Sequence, residues 1–274
     1  MSSTTGQRNR PRVASWHTGI TLVEPNRILV RGYGVDELMG RVSFAEAIYL
    51  LLVGELPSRA IGRLMDALLV STIDHGATPP SALAAREVAT AGNPLRASVA
   101  AGVLGLGDYH GGDVEACIEF LERARQMVHR GRSPSDAATA LVEPFASADR
   151  PPPGFGHRTH TSDPRTARLF QMALELEQEG AHVQMIRAID AALRATRPEG
   201  PHHPINVDGA IAAVSADLGL DSAVGNALFI IARVPGIIAQ TLEEAKRERP
   251  MRVIDASQAT YDGPASRRLP VTRR

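Results

Sequence analysis

Residues 154–165, GFGHRTHTSDPR, are the stretch from which the rest of the chain can be read. They follow a proline run, Pro151-Pro152-Pro153, and precede a long helical pattern. Gly154 and Gly156 bracket Phe155 and permit backbone angles and close approaches that a side chain would block. His157 follows at once, so an imidazole stands where the chain is tight and can face a cavity. Asp163 suits an N-cap, Pro164 the first helical position and Arg165 the first turn, where a guanidinium can aim a carboxylate-gripping fork at the same loop. The same residues also fit a plain glycine turn, a surface histidine and an ordinary helix start.

Outward from this stretch the pattern is helical almost throughout. Ser43-Phe44-Ala45-Glu46 reads as a capping box for a helix that stops at Gly54. Ser58 caps the next helix, with Ile61, Leu64, Met65, Leu68 and Leu69 on one apolar stripe. Pro79-Pro80-Ser81 opens another. Residues 95–106 are small and apolar, as expected of a buried helix. An amphipathic helix is predicted over 113–128, and others at about 164–179 and 181–196. NVDG (206–209) leads into an Ala-rich helix, and 222–247 carries one or two more, with a kink expected at Pro235-Gly236. Residues 129–153 mix Ser, Pro, Arg and Asp around one short helix and read as a linker or hinge. Strand signals are confined to 16–32, where Pro25-Asn26 separates two short alternating runs into a hairpin.

Composition narrows the class. Apolar residues make up 43% and aromatics only 4%, so the core is built from Ala, Leu, Val and Ile, which favours close-packed helices. Formal net charge is zero, so no global field recruits nucleic acid or an anionic membrane. One cysteine, Cys117, leaves no internal disulfide framework and fits a reducing, cytoplasmic interior. Residues 1–15 begin as a polar arm with no apolar signal core. The most apolar window, 224–239, is broken by Arg233 and Pro235 and does not read as a membrane span.

Four polar residues adjoin glycines: His75 before Gly76, His110 before Gly111-Gly112, His157 after Gly156 and Asp208 before Gly209. Such histidines can exchange or share a proton near neutral pH, although solvated loop histidines look the same. His157, His160, His202, His203 and Asp208 could supply metal ligands, but no HExxH spacing or Cys/His framework appears, so no metal is expected. GLGDYHGGD (105–113) is neither a P-loop nor a dinucleotide fingerprint. Cys117 falls inside the amphipathic helix and reads as a buried structural thiol.

RGYGVDELMG (31–40), SFAEAIYLLLVGELPS (43–58), HGGD (110–113), GFGHR with DPR (154–165), NVDG (206–209) and FIIARVPGIIA (229–239), in this order, resemble the citrate synthase superfamily. DHGATPPS (74–81) and NVDG are more similar to its citryl-CoA lyase branch, including the lyase module of ATP-citrate lyase, and the N-terminal part is reduced. The resemblance implies a mainly α-helical, citrate synthase-like fold with a large domain (16–112 and 232–274), a small domain (113–231) and a short N-terminal β-hairpin, assembled as a homodimer. It implies carbon–carbon bond cleavage or formation between an acetyl-CoA unit and oxaloacetate, through citryl-CoA, with a coenzyme A thioester as substrate and no tightly bound cofactor. By resemblance, His110 holds the thioester oxygen as the enolate forms, His157 serves the oxaloacetate carbonyl and takes the citryl hydroxyl proton in cleavage, and Asp208 exchanges a proton with the acetyl carbon. His75, Arg165 and Arg233 hold the dicarboxylate, and Gly156 and Arg158 fall to the coenzyme. The alternatives are a citrate or 2-methylcitrate synthase and a catalytically inactive partner subunit. Two departures stand out. Gln258, three residues before Tyr261, occupies the place of a cross-dimer arginine, for which Arg252 or Arg267 could substitute. Asp113 stands where a small or amide residue is commoner, and could alter the thioester pocket or cap the following helix.

Overall fold

The computed structural model describes residues 16–148, 150–157, 160–196, 203–252 and 255–269. The expected arm, 1–15, and Arg158 lie outside them.

Three short strands, β1 (Thr21–Glu24), β2 (Arg27–Val30) and β3 (Tyr33–Gly34), form an antiparallel sheet in that order, with Thr21 opposite Val30. Asn26 takes a positive φ of 60° in the expected turn, a conformation asparagine tolerates better than most residues. The third strand was not legible, because two residues carry no period. The Arg31 guanidinium ties this sheet to the helix that follows, donating to the Leu51 carbonyl at 2.7 Å.

Eleven α-helices follow among the described residues: α1 (Val35–Leu38), α2 (Phe44–Val53), α3 (Arg59–Ser71), α4 (Pro80–Thr90), α5 (Leu95–Leu104), α6 (Asp113–His129), α7 (Pro134–Ser147), α8 (Pro164–Glu175), α9 (Ala181–Thr196), α10 (Val207–Asp217) and α11 (Ser222–Arg247). Their ends obey the local chemistry. Ser43 and Glu46 form a reciprocal capping box and Gly54 closes α2 in the left-handed region. Ser58 accepts from the Ile61 N–H, and Asp163 from the Arg165 N–H.

The described residues fall into two compact units, those within 16–72 and 113–229, and those within 73–112 and 230–269. Residues 16–72 lie in the same compact unit as 113–229. In this first unit α3 packs on α8, which brings the N-terminal helices to the core of α6–α10. Its centre is α10, where Val207 and every residue from Gly209 to Ser215 are buried. Small alanines on all sides let α6, α8 and α9 close on it. Phe120, Leu121, Ile186, Ile189 and Ile211 fill the space around it.

Residues 129–153 are not a linker. α7 occupies fourteen of them, buries Ala137, Ala138 and Val142, and packs on α9 and α6. Its polar residues lie on the solvent face, and Pro134 occupies the first turn, where no N–H is needed.

In the second unit α4 pairs with α5, and α11 meets them at single points, Ile237 against Gly102 and Glu244 against Arg86. A Cβ on Gly102 would meet Ile237 at 2.5 Å and Ala85 at 3.1 Å, so that helix contact requires glycine. α5 is less buried than its composition suggests: only Ser98 and Gly102 are enclosed, and Leu95 and Leu104 are exposed. By length and composition α11 could cross a membrane. Within this fold, however, its Leu228, Phe229, Ala232 and Ile237 are core residues, and Arg233, Thr241 and Glu244 are buried with them. Pro235 lies inside an unbroken helical span. Glu244, 1% exposed, holds Arg86, 6% exposed, at 2.9 Å and is also gripped by Arg252.

Candidate active site

Two loops of the first unit are stitched together main chain to main chain. The Gly156 N–H donates to the Pro204 carbonyl at 2.8 Å, and the Asn206 N–H to the Gly154 carbonyl at 3.0 Å. Phe155 and Ile205 form an antiparallel bridge. The Asn206 side chain works in both directions: its Nδ2 donates to the Gly156 carbonyl and its Oδ1 accepts the Gly209 N–H, each at 3.0 Å. One asparagine therefore caps α10 and binds the GFGH loop to the cap. The approach is close enough to demand glycine on both sides. A Cβ on Gly209 would lie 2.3 Å from the Gly154 carbonyl oxygen, and Gly154 itself has φ +81°.

This stitching brings the loop that carries His157 to the first turn of α10, which carries Asp208. Oδ1 of Asp208 is shut off from solvent, and the positive end of the α10 dipole favours a carboxylate there. Nδ1 of His157 accepts the His160 backbone N–H at 3.0 Å. In the neutral ring the proton therefore sits on Nε2, which becomes a donor. With Nε2 protonated, His157 can donate to a substrate oxygen. The bond at Nδ1 also occupies the nitrogen that a metal would need on that side. The His157 and His160 rings lie 4.4 Å apart between centroids.

Arg165 is held in a two-pronged grip, Nε to Oδ1 of Asp163 at 2.9 Å and Nη2 to Oδ2 at 2.7 Å. Burial pushes the Asp163 carboxyl up, but its bonds to Arg165 prevail and hold it below the usual carboxylate range. The fork is thus aimed by its own N-cap. Arg165 also lines an open groove of about 710 Å³ between α3 and α8, with an apolar floor of Ala67, Val70, Leu169 and Met172.

Asp113 neither caps α6 from outside nor stands apart from the loop. It is the first residue of α6, and its Oδ2 accepts the Gly154 N–H at 3.2 Å. Burial raises its pKa, and the Gly154 bond partly opposes that rise. Cys117, one turn on, is buried as expected. Burial, then the charges of Asp113 and Asp208, push its thiol well up, so it is no nucleophile.

The second unit carries the other candidates. Gly107 and His110 exchange backbone hydrogen bonds at 3.0 and 2.7 Å, and Gly111 follows at φ +91°, closing a tight turn. Nε2 of His110 lies 2.8 Å from Oγ of Ser81, a buried hydroxyl in the first turn of α4. In the sequence Ser81 reads only as part of a helix start. His75 follows Asp74, whose carboxylate accepts the Gly76 N–H at 3.1 Å and the Gln240 amide at 3.1 Å. A Cβ on Gly236 would lie 2.2 Å from the Ile73 carbonyl oxygen. That contact seats the His75 loop on α11, one turn from Arg233, which is 3% exposed. Arg252, one suggested substitute for the missing cross-dimer arginine, is engaged by Glu244 within its own unit. Gln258 and Tyr261 are exposed, and the Tyr261 hydroxyl donates to the Pro264 carbonyl at 2.9 Å.

The family described as citrate synthase, C-terminal domain, matches residues 58–253, well over half of the chain. The chain belongs to the citrate synthase family. Among solved structures, this citrate synthase-family chain is 42% identical to a citryl-CoA lyase from Hydrogenobacter thermophilus. The match covers 93% of this chain and 97% of that one, with a TM-score of 0.83. An ATP citrate lyase from Methanosaeta concilii, solved as a D541A mutant with (3S)-citryl-CoA, shares the fold at a TM-score of 0.76 and 20% identity. The match covers 94% of this chain and 43% of that one. The rice ATP-citrate synthase beta chain protein 1 (Oryza sativa subsp. japonica) is 24% identical over 84% of this chain, which spans only 37% of that relative's length. A citrate synthase from Deinococcus radiodurans is 26% identical over 74% of this chain and 52% of that protein.

Proposed function

We propose that the chain is a citryl-CoA lyase, cleaving citryl-CoA to acetyl-CoA and oxaloacetate by a retro-Claisen reaction. The observation that carries this reading is the end-to-end match, at 42% identity, to a short citryl-CoA lyase. As the carbon–carbon bond breaks, the citryl hydroxyl passes its proton to the Asp208 carboxylate and its carbon becomes the ketone of oxaloacetate, while Nε2–H of His157 donates to that oxygen. The acetyl fragment leaves as an enolate, whose charge must be met by preorganised donors in a site that excludes water. With the Ser81 hydroxyl donating to Nε2 of His110, Nδ1–H of His110 is the donor for the thioester oxygen. Asp208 protonates the enolate carbon. Arg165, Arg233 and His75 hold the carboxylates, since guanidinium grips carboxylate in a two-pronged fork, and Gly156 and Arg158 serve the coenzyme. The chemistry uses a coenzyme A thioester as substrate and needs no tightly bound cofactor.

A homodimer fits the uncovered Leu95 and Leu104 on α5. The single cysteine supports a cytoplasmic setting. The 26% identity to a citrate synthase keeps a second reading in view, condensation followed by thioester hydrolysis. Acetyl-CoA and oxaloacetate with a thiol reagent separate the two: the lyase releases no free coenzyme A, whereas steady thiol release with citrate accumulation assigns a synthase. A catalytically inactive partner subunit would show unchanged properties in His110→Ala and Asp208→Asn.

A further inference from the structure

Gly154 is a backbone hub. Its carbonyl accepts the Asn206 N–H at 3.0 Å, and Gly209 and Cys117 crowd its Cα. Its N–H is taken by Oδ2 of Asp113 at 3.2 Å. Three segments meet there: the start of α6, the start of α10 with Asp208, and the loop that ends in His157. The α10 side is secured by several main-chain and Asn206 bonds. The described hydrogen bond from α6 is the Asp113 side chain.

We infer that Asp113 is a positioning residue for the reaction, acting through Gly154 to fix His157 and Asp208 against each other. Gly154 is buried, so losing the acceptor would strand its N–H away from water. The cheapest relief is movement of the loop, and His157 moves with it. Cys117, packed on Gly154 from the next turn of α6, cannot replace the bond: its buried thiol stays protonated and is a poor acceptor. Placement errors on the order of 1 Å cost about a hundredfold in rate even when binding groups are untouched. Asp113 thus governs turnover more than substrate affinity. An asparagine at this position keeps an oxygen at the same reach, whereas an alanine does not.

This inference rests on the lyase reading for its kinetic arm and on geometry alone for its second arm. Asp113→Ala and Asp113→Asn are compared with the unaltered enzyme in citryl-CoA cleavage and in amide hydrogen exchange across 154–157. The alanine variant is expected to lose at least about tenfold in kcat with KM within about twofold, and to exchange the segment about tenfold faster. The asparagine variant is expected to keep kcat within about threefold and to retain protection. Unchanged kcat and exchange in the alanine variant would overturn the inference. So would an asparagine variant that folds, binds and is as slow as a tenfold-impaired enzyme, a comparison that stands even if the alanine variant does not fold. Exchange needs no substrate, so an unaltered protein inert to citryl-CoA would count against the lyase reading alone.

Discussion

The hydroxyl of Ser81 lies 2.8 Å from Nε2 of His110, joining the first turn of α4 to the glycine-rich turn of the HGGD motif. Fixing one ring nitrogen decides which of the two carries the proton towards substrate. Ser81→Ala should therefore lower kcat by about 10- to 100-fold, within the range supplied by one positioned acid–base or oxyanion donor. Ser81 is buried and small, so the fold should survive, as circular dichroism would check. A steady-state assay giving unaltered kcat would mean His110 is oriented by other contacts.

Gly209 and Gly154 touch through their main chains. Gly209→Ala places a methyl 2.3 Å from the Gly154 carbonyl oxygen, where the neighbour is backbone and cannot swing aside. Denaturant unfolding should show a loss of about 1–3 kcal/mol or more from overpacking. Activity should fall further than stability, because the displaced segments carry His157 and Asp208.

Glu244 sits between Arg86 and Arg252 with almost no exposure. Glu244→Ala removes the carboxylate 2.9 Å from the buried Arg86, leaving it Glu243 at 3.7 Å and the Gln240 amide oxygen at 2.7 Å, and should cost about 1.5–3 kcal/mol, measured by the shift in urea midpoint. Glu244→Gln should cost less, since the amide oxygen still accepts.

His182 gives stability a pH dependence. It is enclosed between Asp217, 2.8 Å from Nδ1, and Glu122, 2.7 Å from Nε2, with Arg125 nearby. Burial lowers its pKa, but the two carboxylates outweigh burial and Arg125, and the net shift is upward. The folded form then holds a proton that the unfolded chain releases earlier. Its contribution is complete below the ordinary histidine pKa and is lost as pH rises through the raised value. Asp217, held below the usual range by its bond to His182 and by the N–H groups of Gly180, His182 and Val183 despite burial, contributes above the ordinary aspartate pKa and loses that contribution in acid. The melting temperature should fall as pH rises above about 6.5, and His182→Gln should flatten that limb. A His182→Gln protein with the same slope would assign the dependence elsewhere.

Much of this was legible in the sequence, for local reasons. Ser43 with Glu46, Ser58, and Asp163 before Pro164 are caps whose chemistry lies within three or four residues, and each helix starts where they put it. The glycine pairs around His110 and His157 mark turns that the backbone requires. What could not be read was non-local. α7 looks like a hinge because its alanines carry little apolar signal until α9 covers them. Nothing near Ser81 points to a histidine 29 residues away, nor near Asp113 to a glycine 41 residues away. The tautomer of His157 depends on a backbone N–H three residues on, and only the folded loop reveals it.

The most direct measurement is a product analysis: purified protein is incubated with citryl-CoA and the quenched mixture is resolved by chromatography. Acetyl-CoA and oxaloacetate should appear in equal amounts at a catalytic rate, with no free coenzyme A. Citryl-CoA left intact, or converted to citrate and free coenzyme A, would contradict the account.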